Sequence, residues 1–345
     1  MKQIELHGVE RTSKIAINES FLNLLHWVGN RNRVIITDSN VRNYYGDYFK
    51  EWNIIEIGIG ETCKTLKTIE YIYEELVKLE ADRSWFIIGM GGGIVCDITG
   101  FAASTYMRGV PFGFVSTSLL SQVDASIGGK NGVNFHGYKN MIGVFNQPEF
   151  VICDTTMLKT LPEVERANGF AEVVKHAVIG DERLFNLLEE HPEKASNLDP
   201  LFMENVIYAC LEVKKNVVEK DEKEKGERRV LNFGHTLGHA LEKVTGISHG
   251  SGVSIGMMFA AGLSVKRNLL AEGDAIRLRN VLISLGLPVT INCEKSKLKE
   301  AIHKDKKREG RGIHFILLKS IGKPVIQEIG MDELEEEIDN DLCLH

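Results

Sequence analysis

Four of the five residues from Gly89 to Gly93 are glycine, and the run Ser84-Trp-Phe-Ile-Ile88 leads straight into them. The run reads as a buried strand, and an amphipathic helix follows near residues 94–106. A tight structural turn accounts for one or two glycines. Four in five keep side chains away, so that backbone N–H groups at a helix start can approach a phosphate. The turn is not the usual dinucleotide fingerprint. Gly89 and Gly91 fit G-x-G-x-x-G, but Ile94 takes the last position and the ribose-binding acid expected about 20 residues further on is missing. The junction does constrain the fold class. Residues 33–37 and 52–59 read as earlier strands, 65–79 as a helix, 109–123 as strand-like and 150–154 as the last strand. Strands alternating with helices imply a parallel sheet with crossovers.

Beyond Asp154-Thr-Thr156 the texture changes. Residues 163–180, 182–190, 200–219, 231–245, 252–270 and 272–285 read as helices. A short strand pair (313–318 and 324–329) and an acidic, solvated helix (332–341) come late. A chain of 345 residues exceeds what one core usually holds. The division expected is an α/β domain over 1–155 and a helical domain over 156–345.

Net charge −7 gives no support to nucleic-acid binding. The longest uncharged runs, such as 109–123, contain Pro or Ser and fall short of a membrane span. The six cysteines are scattered, without a C-x-x-C pair, which excludes a zinc ribbon or a disulfide framework. Reduced thiols and a polar start, Met1-Lys-Gln-Ile-Glu-Leu6, predict a cytoplasmic protein without a signal peptide.

The chemistry concentrates in Val230-Leu-Asn-Phe-Gly-His-Thr-Leu-Gly-His239 and in His249, ten residues on. On a helix, Asn232, His235 and His239 share one face. Gly234 and Gly238 keep the same turns thin, so another group can approach the backbone. One lone histidine is more often a core or capping residue. Three, with two glycines among them, point to a site. Two imidazoles and one carboxylate meet the count of a catalytic zinc centre. Glu172, in Ala171-Glu-Val-Val-Lys-His176, is the obvious acid donor. Spacing alone nominates His235 and His239 as the ligand pair.

Six stretches in order resemble the 3-dehydroquinate synthase family of the shikimate pathway. They are Gly91-Gly-Gly-Ile-Val-Cys-Asp97, Thr105-Tyr-Met-Arg-Gly109, Gln122-Val-Asp-Ala-Ser-Ile-Gly-Gly-Lys130, Lys139-Asn-Met-Ile-Gly143, Ala171-Glu-Val-Val-Lys175 and Leu231-Asn-Phe-Gly-His235 with His239. The resemblance spans residues 38–307. It implies a dehydroquinate synthase-like fold, with an N-terminal dinucleotide-binding α/β domain, an all-α C-terminal domain and the active site between them. It implies NAD⁺, one divalent metal (zinc, or cobalt), a homodimer, and conversion of 3-deoxy-D-arabino-heptulosonate 7-phosphate (DAHP) to 3-dehydroquinate and phosphate.

By the same resemblance the metal ligands are Glu172, His235 and His249, which overrules the spacing argument and leaves His239 on the substrate side. The cofactor residues are Asp38, Asn40, Glu61, Lys64, Gly91, Gly92, Gly93, Asp97, Thr117, Asp124, Lys130 and Lys139. Arg228 matches the arginine that binds the substrate carboxylate, a partner that suits its planar fork. Lys130, Asn140 and His239 match the phosphate end, and Arg108 a residue donated across the dimer. Lys175, Lys214, Asn232 and one lysine of the Asp305-Lys-Lys307 loop, Lys306 in preference to Lys307, complete the pocket.

Three positions depart from the family pattern. Ser251 stands where Glu is usual, Cys96 where Gly is usual and Asn131 where Thr is common. Loss of an acid at 251 is expected to loosen the support of His249. The rival readings are another sugar-phosphate cyclase, a metal-dependent polyol or glycerol-phosphate dehydrogenase that releases NADH, and a non-enzymatic binding protein. Retention of Lys130, Asn140 and Arg228 favours DAHP.

Overall fold

The computed structural model describes residues 1–306, 312–340 and 343–344, and the side chains of all of these except 304–306. The chain divides into two compact units, one of Met1–Leu161 with Lys214–Lys223, the other of Pro162–Val213 with Glu224–His345.

The first unit is built on a seven-stranded sheet. Its strands are β1 (Lys2–His7), β2 (Thr12–Ile17), β3 (Arg33–Asp38), β4 (Asn53–Ile57), β5 (Phe86–Gly91), β6 (Phe112–Ser116) and β9 (Phe150–Cys153), in the order β1-β2-β9-β6-β5-β3-β4. The pair β1/β2 is antiparallel and every other pairing is parallel. Strands β5, β6 and β9 are buried along their whole length, as expected of a parallel sheet covered on both faces. Phe86 and Phe150 stack with centroids 5.4 Å apart in the core beneath. A separate antiparallel hairpin joins β7 (Lys130–Phe135) to β8 (Tyr138–Phe145).

The order of strands locates a crevice. β3 leads outward to β4, whereas its neighbour β5 leads the other way to β6. Adjacent parallel strands whose connections diverge leave a gap beyond their carboxyl ends, where ligands bind in open α/β sheets. Asp38 ends β3 and Gly91 ends β5.

Only Phe112–Ser116 of the strand-like segment 109–123 is a strand. Beyond it, Ser118 and Ser121 hydrogen-bond each other's backbone N–H and the chain coils into a π-helical turn, Ser121–Ala125. Local side-chain bonds of this kind compete with a sheet ladder.

The second unit is helical, with one antiparallel strand pair, β10 (Gly312–Ser320) and β11 (Lys323–Gly330). Helices Glu163–Gly180 and Glu182–Glu190 match the sequence reading. The expected helix 231–245 begins only at His235. Residues Glu227–Asn232 form a 3-10 turn, and Gly234 has φ +78°, which ends any helix arriving from it. Asn232 therefore does not share a helical face with His235 and His239. The helix expected over 252–270 runs from His249 to Lys266, its N-terminus capped by Ser248. No helix among the described residues is long and apolar enough to cross a membrane.

Candidate metal centre and cofactor turn

Glycine-to-backbone contact brings the candidate metal ligands together. A Cβ on Gly256 would collide with the Gly234 carbonyl oxygen, and one on Gly252 would lie 2.8 Å from that of Gly238. The helices His235–Thr245 and His249–Lys266 thus cross with their backbones touching, which brings the two N-terminal histidines together. A Cβ on Gly250 would lie 2.5 Å from the Asn168 Cα. The Gly250 N–H donates to Asn168 Oδ1 at 2.8 Å. That contact docks the helix Glu163–Gly180, whose Glu172 lies one turn beyond Asn168.

Donor atoms of Glu172, His235 and His249 converge within 4.8 Å of one another. The Oε1 of Glu172 is 3.4 Å from His235 Nε2 and 3.2 Å from His249 Nε2. Donors bound at about 2.0–2.1 Å to a tetrahedral ion lie about 3.3 Å apart, so the two edges fit a divalent cation of the zinc or cobalt type. The outer nitrogens are fixed as well. His235 Nδ1 donates to the Phe233 carbonyl at 3.1 Å, and His249 Nδ1 to Glu242 Oε1 at 2.9 Å. Both rings are thereby held with Nε2 turned to the carboxylate, an arrangement typical of metal-ligating histidines.

The electrostatics agree. Burial pushes the Glu172 carboxyl up, but Lys175 and His235 hold it well below the usual carboxylate range. Burial lowers the pKa of His249, yet hydrogen bonds to Glu172 and Glu242 lift it to about 9. The carboxylate is therefore ionised, and a metal ion at this site would displace the proton that His249 shares with it.

The acid with which His239 forms a possible ligand group is not Glu172, as the spacing argument would have it. His239 groups instead with Glu242 and His249. Its ring centroid is 5.2 Å from that of His235 and 6.1 Å from that of His249. Ser251 bonds Ser248 across the helix start at 2.9 Å. Glu242 supplies the carboxylate expected to be missing from His249. Sequence reasoning passed over Glu242, although it continues the His235–His239 stripe at helical spacing.

Of the remaining residues in this unit, Lys175 pairs with Glu172, and Arg228 is 1% exposed. Asn232 donates to Glu224 at 2.9 Å. The side chain of Lys306, and Lys307 altogether, lie outside the described residues.

In the first unit, Gly92 heads the helix Gly93–Thr105 with no side-chain cap. A Cβ on Gly91 would meet Val95 at 2.5 Å, and one on Gly93 would meet Ala125 at 2.7 Å. The turn therefore has no room for side chains at Gly91 and Gly93, and its helix-start N–H groups meet no side-chain cap, the setting in which such groups bind anions. Thr117 donates its N–H to the Gly91 carbonyl at 3.0 Å. Asp38 caps the helix after β3 through Val41 N–H at 3.0 Å, with Asn40 exposed beside it. Lys64 Nζ donates to Asp97 Oδ2 and Asn140 Oδ1, each at 2.5 Å. Burial raises the pKa of Asp97, against the lowering effect of Lys64. Lys214 Nζ donates to the Asp124 carboxylate and, at 2.6 Å, to its carbonyl. Glu61 accepts from Asn134 at 2.7 Å. Lys130 opens β7, Lys139 and Asn140 lie on β8, and Lys130, Lys139 and Arg108 are exposed. Cys96 and Asn131 are buried, and the amide of Asn131 donates to Gly129 and Asn146 carbonyls.

The chain matches family models for the 3-dehydroquinate synthase N-terminal region over residues 54–168 and the C-terminal region over 169–308. It is 42% identical over 344 residues to 3-dehydroquinate synthase of Dehalococcoides mccartyi (strain CBDB1), covering 95% of this chain and 96% of that one. Among solved structures it resembles 2-deoxy-scyllo-inosose synthase complexed with carbaglucose-6-phosphate, NAD⁺ and Co²⁺, with a TM-score of 0.88, 26% identity and coverage of 99% and 100% of the two chains. It also resembles 2-epi-5-epi-valiolone synthase from Streptomyces hygroscopicus subsp. jinggangensis 5008 with NAD⁺ and Zn²⁺ bound, with a TM-score of 0.87, 26% identity and coverage of 96% and 97%.

Proposed function

The chain belongs to the 3-dehydroquinate synthase family, a family of lyase-type cyclases, and on that premise we propose that it converts DAHP to 3-dehydroquinate and phosphate. The cofactors proposed are NAD⁺, regenerated in each turnover, and one divalent ion. The convergence of Glu172, His235 and His249, with their outer nitrogens already held, carries this reading. Two structural relatives with NAD⁺ and Co²⁺ or Zn²⁺ bound support it.

When bound, NAD⁺ takes up and returns a hydride, while the metal polarises hydroxyl oxygens of the substrate. The chain's own residues supply geometry and charge. Gly91, Gly92 and Gly93 take the pyrophosphate on bare backbone N–H groups. Asp38, Asn40, Glu61, Lys64 and Asp97 take the nucleoside portions, and Thr117, Asp124, Lys130 and Lys139 are assigned with them. Arg228 grips the substrate carboxylate with its two-pronged guanidinium. Lys130, Asn140 and His239 hold the phosphate group as it departs. Lys175 keeps Glu172 ionised, and Lys214, with Asn232 and Lys306, adds positive charge and hydrogen bonds around the ring. Arg108 completes the site from a second copy of the chain in a cytoplasmic homodimer.

Incubation with DAHP, NAD⁺ and zinc tests the reading. It expects phosphate and 3-dehydroquinate in equal amounts, without net NADH. NADH accumulating in solution would mark a dehydrogenase instead, and a different carbocycle would mark another cyclase.

A further inference from the structure

Asn134 ties the 3-10 turn Glu61–Cys63, and Lys64 that follows it, to the hairpin β7–β8. Its Nδ2 donates to Glu61 Oε1 at 2.7 Å, its Oδ1 accepts the Asn140 N–H at 2.8 Å, and its own N–H donates to the Lys64 carbonyl at 2.9 Å. Lys64 closes the ring by donating from Nζ to Asn140 Oδ1 at 2.5 Å. A primary amide serves both ends here, giving a donor to the carboxylate and an acceptor to the backbone. Aspartate would set a second carboxylate against Glu61, and alanine would reach neither partner. Asn140 has φ +52°, a left-handed conformation that asparagine adopts more readily than other non-glycine residues and that still gains from support by its surroundings. The bond from its N–H to Asn134 supplies that support.

We propose that Asn134 is a positioning residue that couples cofactor binding to phosphate binding through Glu61 and Asn140. The inference rests on the assignment above of Glu61 and Lys64 to the cofactor and of Asn140 to the phosphate end. A cofactor that fixes Glu61 fixes the Asn134 amide, and through it the backbone at Asn140. The ordering cost of the turn and hairpin is then met once for two ligands, which makes their binding cooperative. By linkage the coupling is reciprocal.

The test is a calorimetric titration of NAD⁺ into the full-length, zinc-loaded protein, with and without saturating inorganic phosphate. In the unsubstituted protein phosphate should tighten NAD⁺ binding at least about fivefold, the lower end of ordinary couplings. In Asn134→Asp and Asn134→Ala the ratio should fall to about one, while both variants keep a cooperative thermal transition. A ratio of one in the unsubstituted protein would overturn the proposal. So would variants that keep the full ratio while losing affinity or thermal stability, since that is what a merely structural residue gives. Failure of the unsubstituted protein to bind NAD⁺ at all would fall on the cofactor assignment instead.

Discussion

Lys175 presses its ammonium against Oε2 of Glu172, one turn earlier on the same helix, and the two side chains are 2% and 0% exposed. Breaking a buried ion pair by removing one partner costs about 3–5 kcal/mol, because the other charge is stranded. Lys175→Met should lower the unfolding free energy of chelator-treated protein by that order, read as a fall in its thermal midpoint. Zinc should restore part of the loss, since the ion replaces the missing positive charge. The Glu172 carboxyl is held below its ordinary value of 4.5. The pair therefore contributes fully above that pH, and its contribution fades as the pH falls through the lower folded value. Thermal melts at two pH values, with and without zinc, check both statements.

Glu242 holds Nδ1 of His249 at 2.9 Å. Outer partners of metal-bound histidines typically change metal affinity by about 10–100-fold when lost. Glu242→Gln keeps an acceptor and removes the charge, so about tenfold weaker zinc binding is expected, with Glu242→Ala weaker still. Competition against a chromophoric chelator measures both. Equal affinity in all three proteins would remove Glu242 from the metal centre.

Lys64 is the cation beside Asp97, whose carboxyl burial already pushes up. Without Lys64 the carboxyl should rise further and take up a proton more readily. Charge-assisted hydrogen bonds of this kind contribute about 1.5–3 kcal/mol. Lys64→Met should therefore weaken NAD⁺ at least about tenfold by calorimetry, with the loss growing as the pH is lowered.

The thiols report on packing. Cys96, Cys153 and Cys210 are buried, whereas Cys63, Cys293 and Cys343 are partly open, and none forms a disulfide. Burial pushes the Cys96 and Cys153 thiols far above their usual range. Alkylation of the native protein, read by mass spectrometry, should label no more than the three open positions. Denaturant should expose all six.

Much of the fold was legible because its signals are local. The run into Gly89–Gly93 and the periodic helices of the second half carry their own patterns. The hairpin β1–β2 was passed over, although Ile4 and Leu6 alternate with polar neighbours as an edge strand does. β7–β8 lacks a β-branched run, and its turn signal is the pair His136-Gly137, both with positive φ. The candidate metal centre was legible in composition and not in partnership. Spacing finds neighbours within one helix, so it paired His235 with His239. The histidine that shares Glu172 with His235, His249, comes from a second helix brought close at Gly252 and Gly256. Nothing in the spacing of histidines shows which helices touch, and the resemblance to a known family supplied that choice.

Zinc stoichiometry by equilibrium dialysis and elemental analysis tests the account most directly. The unsubstituted protein and His239→Ala should each retain one ion per chain, and His249→Ala and Glu172→Gln should retain none at the same free zinc. An ion held as tightly by His249→Ala, or lost from His239→Ala alone, would contradict it.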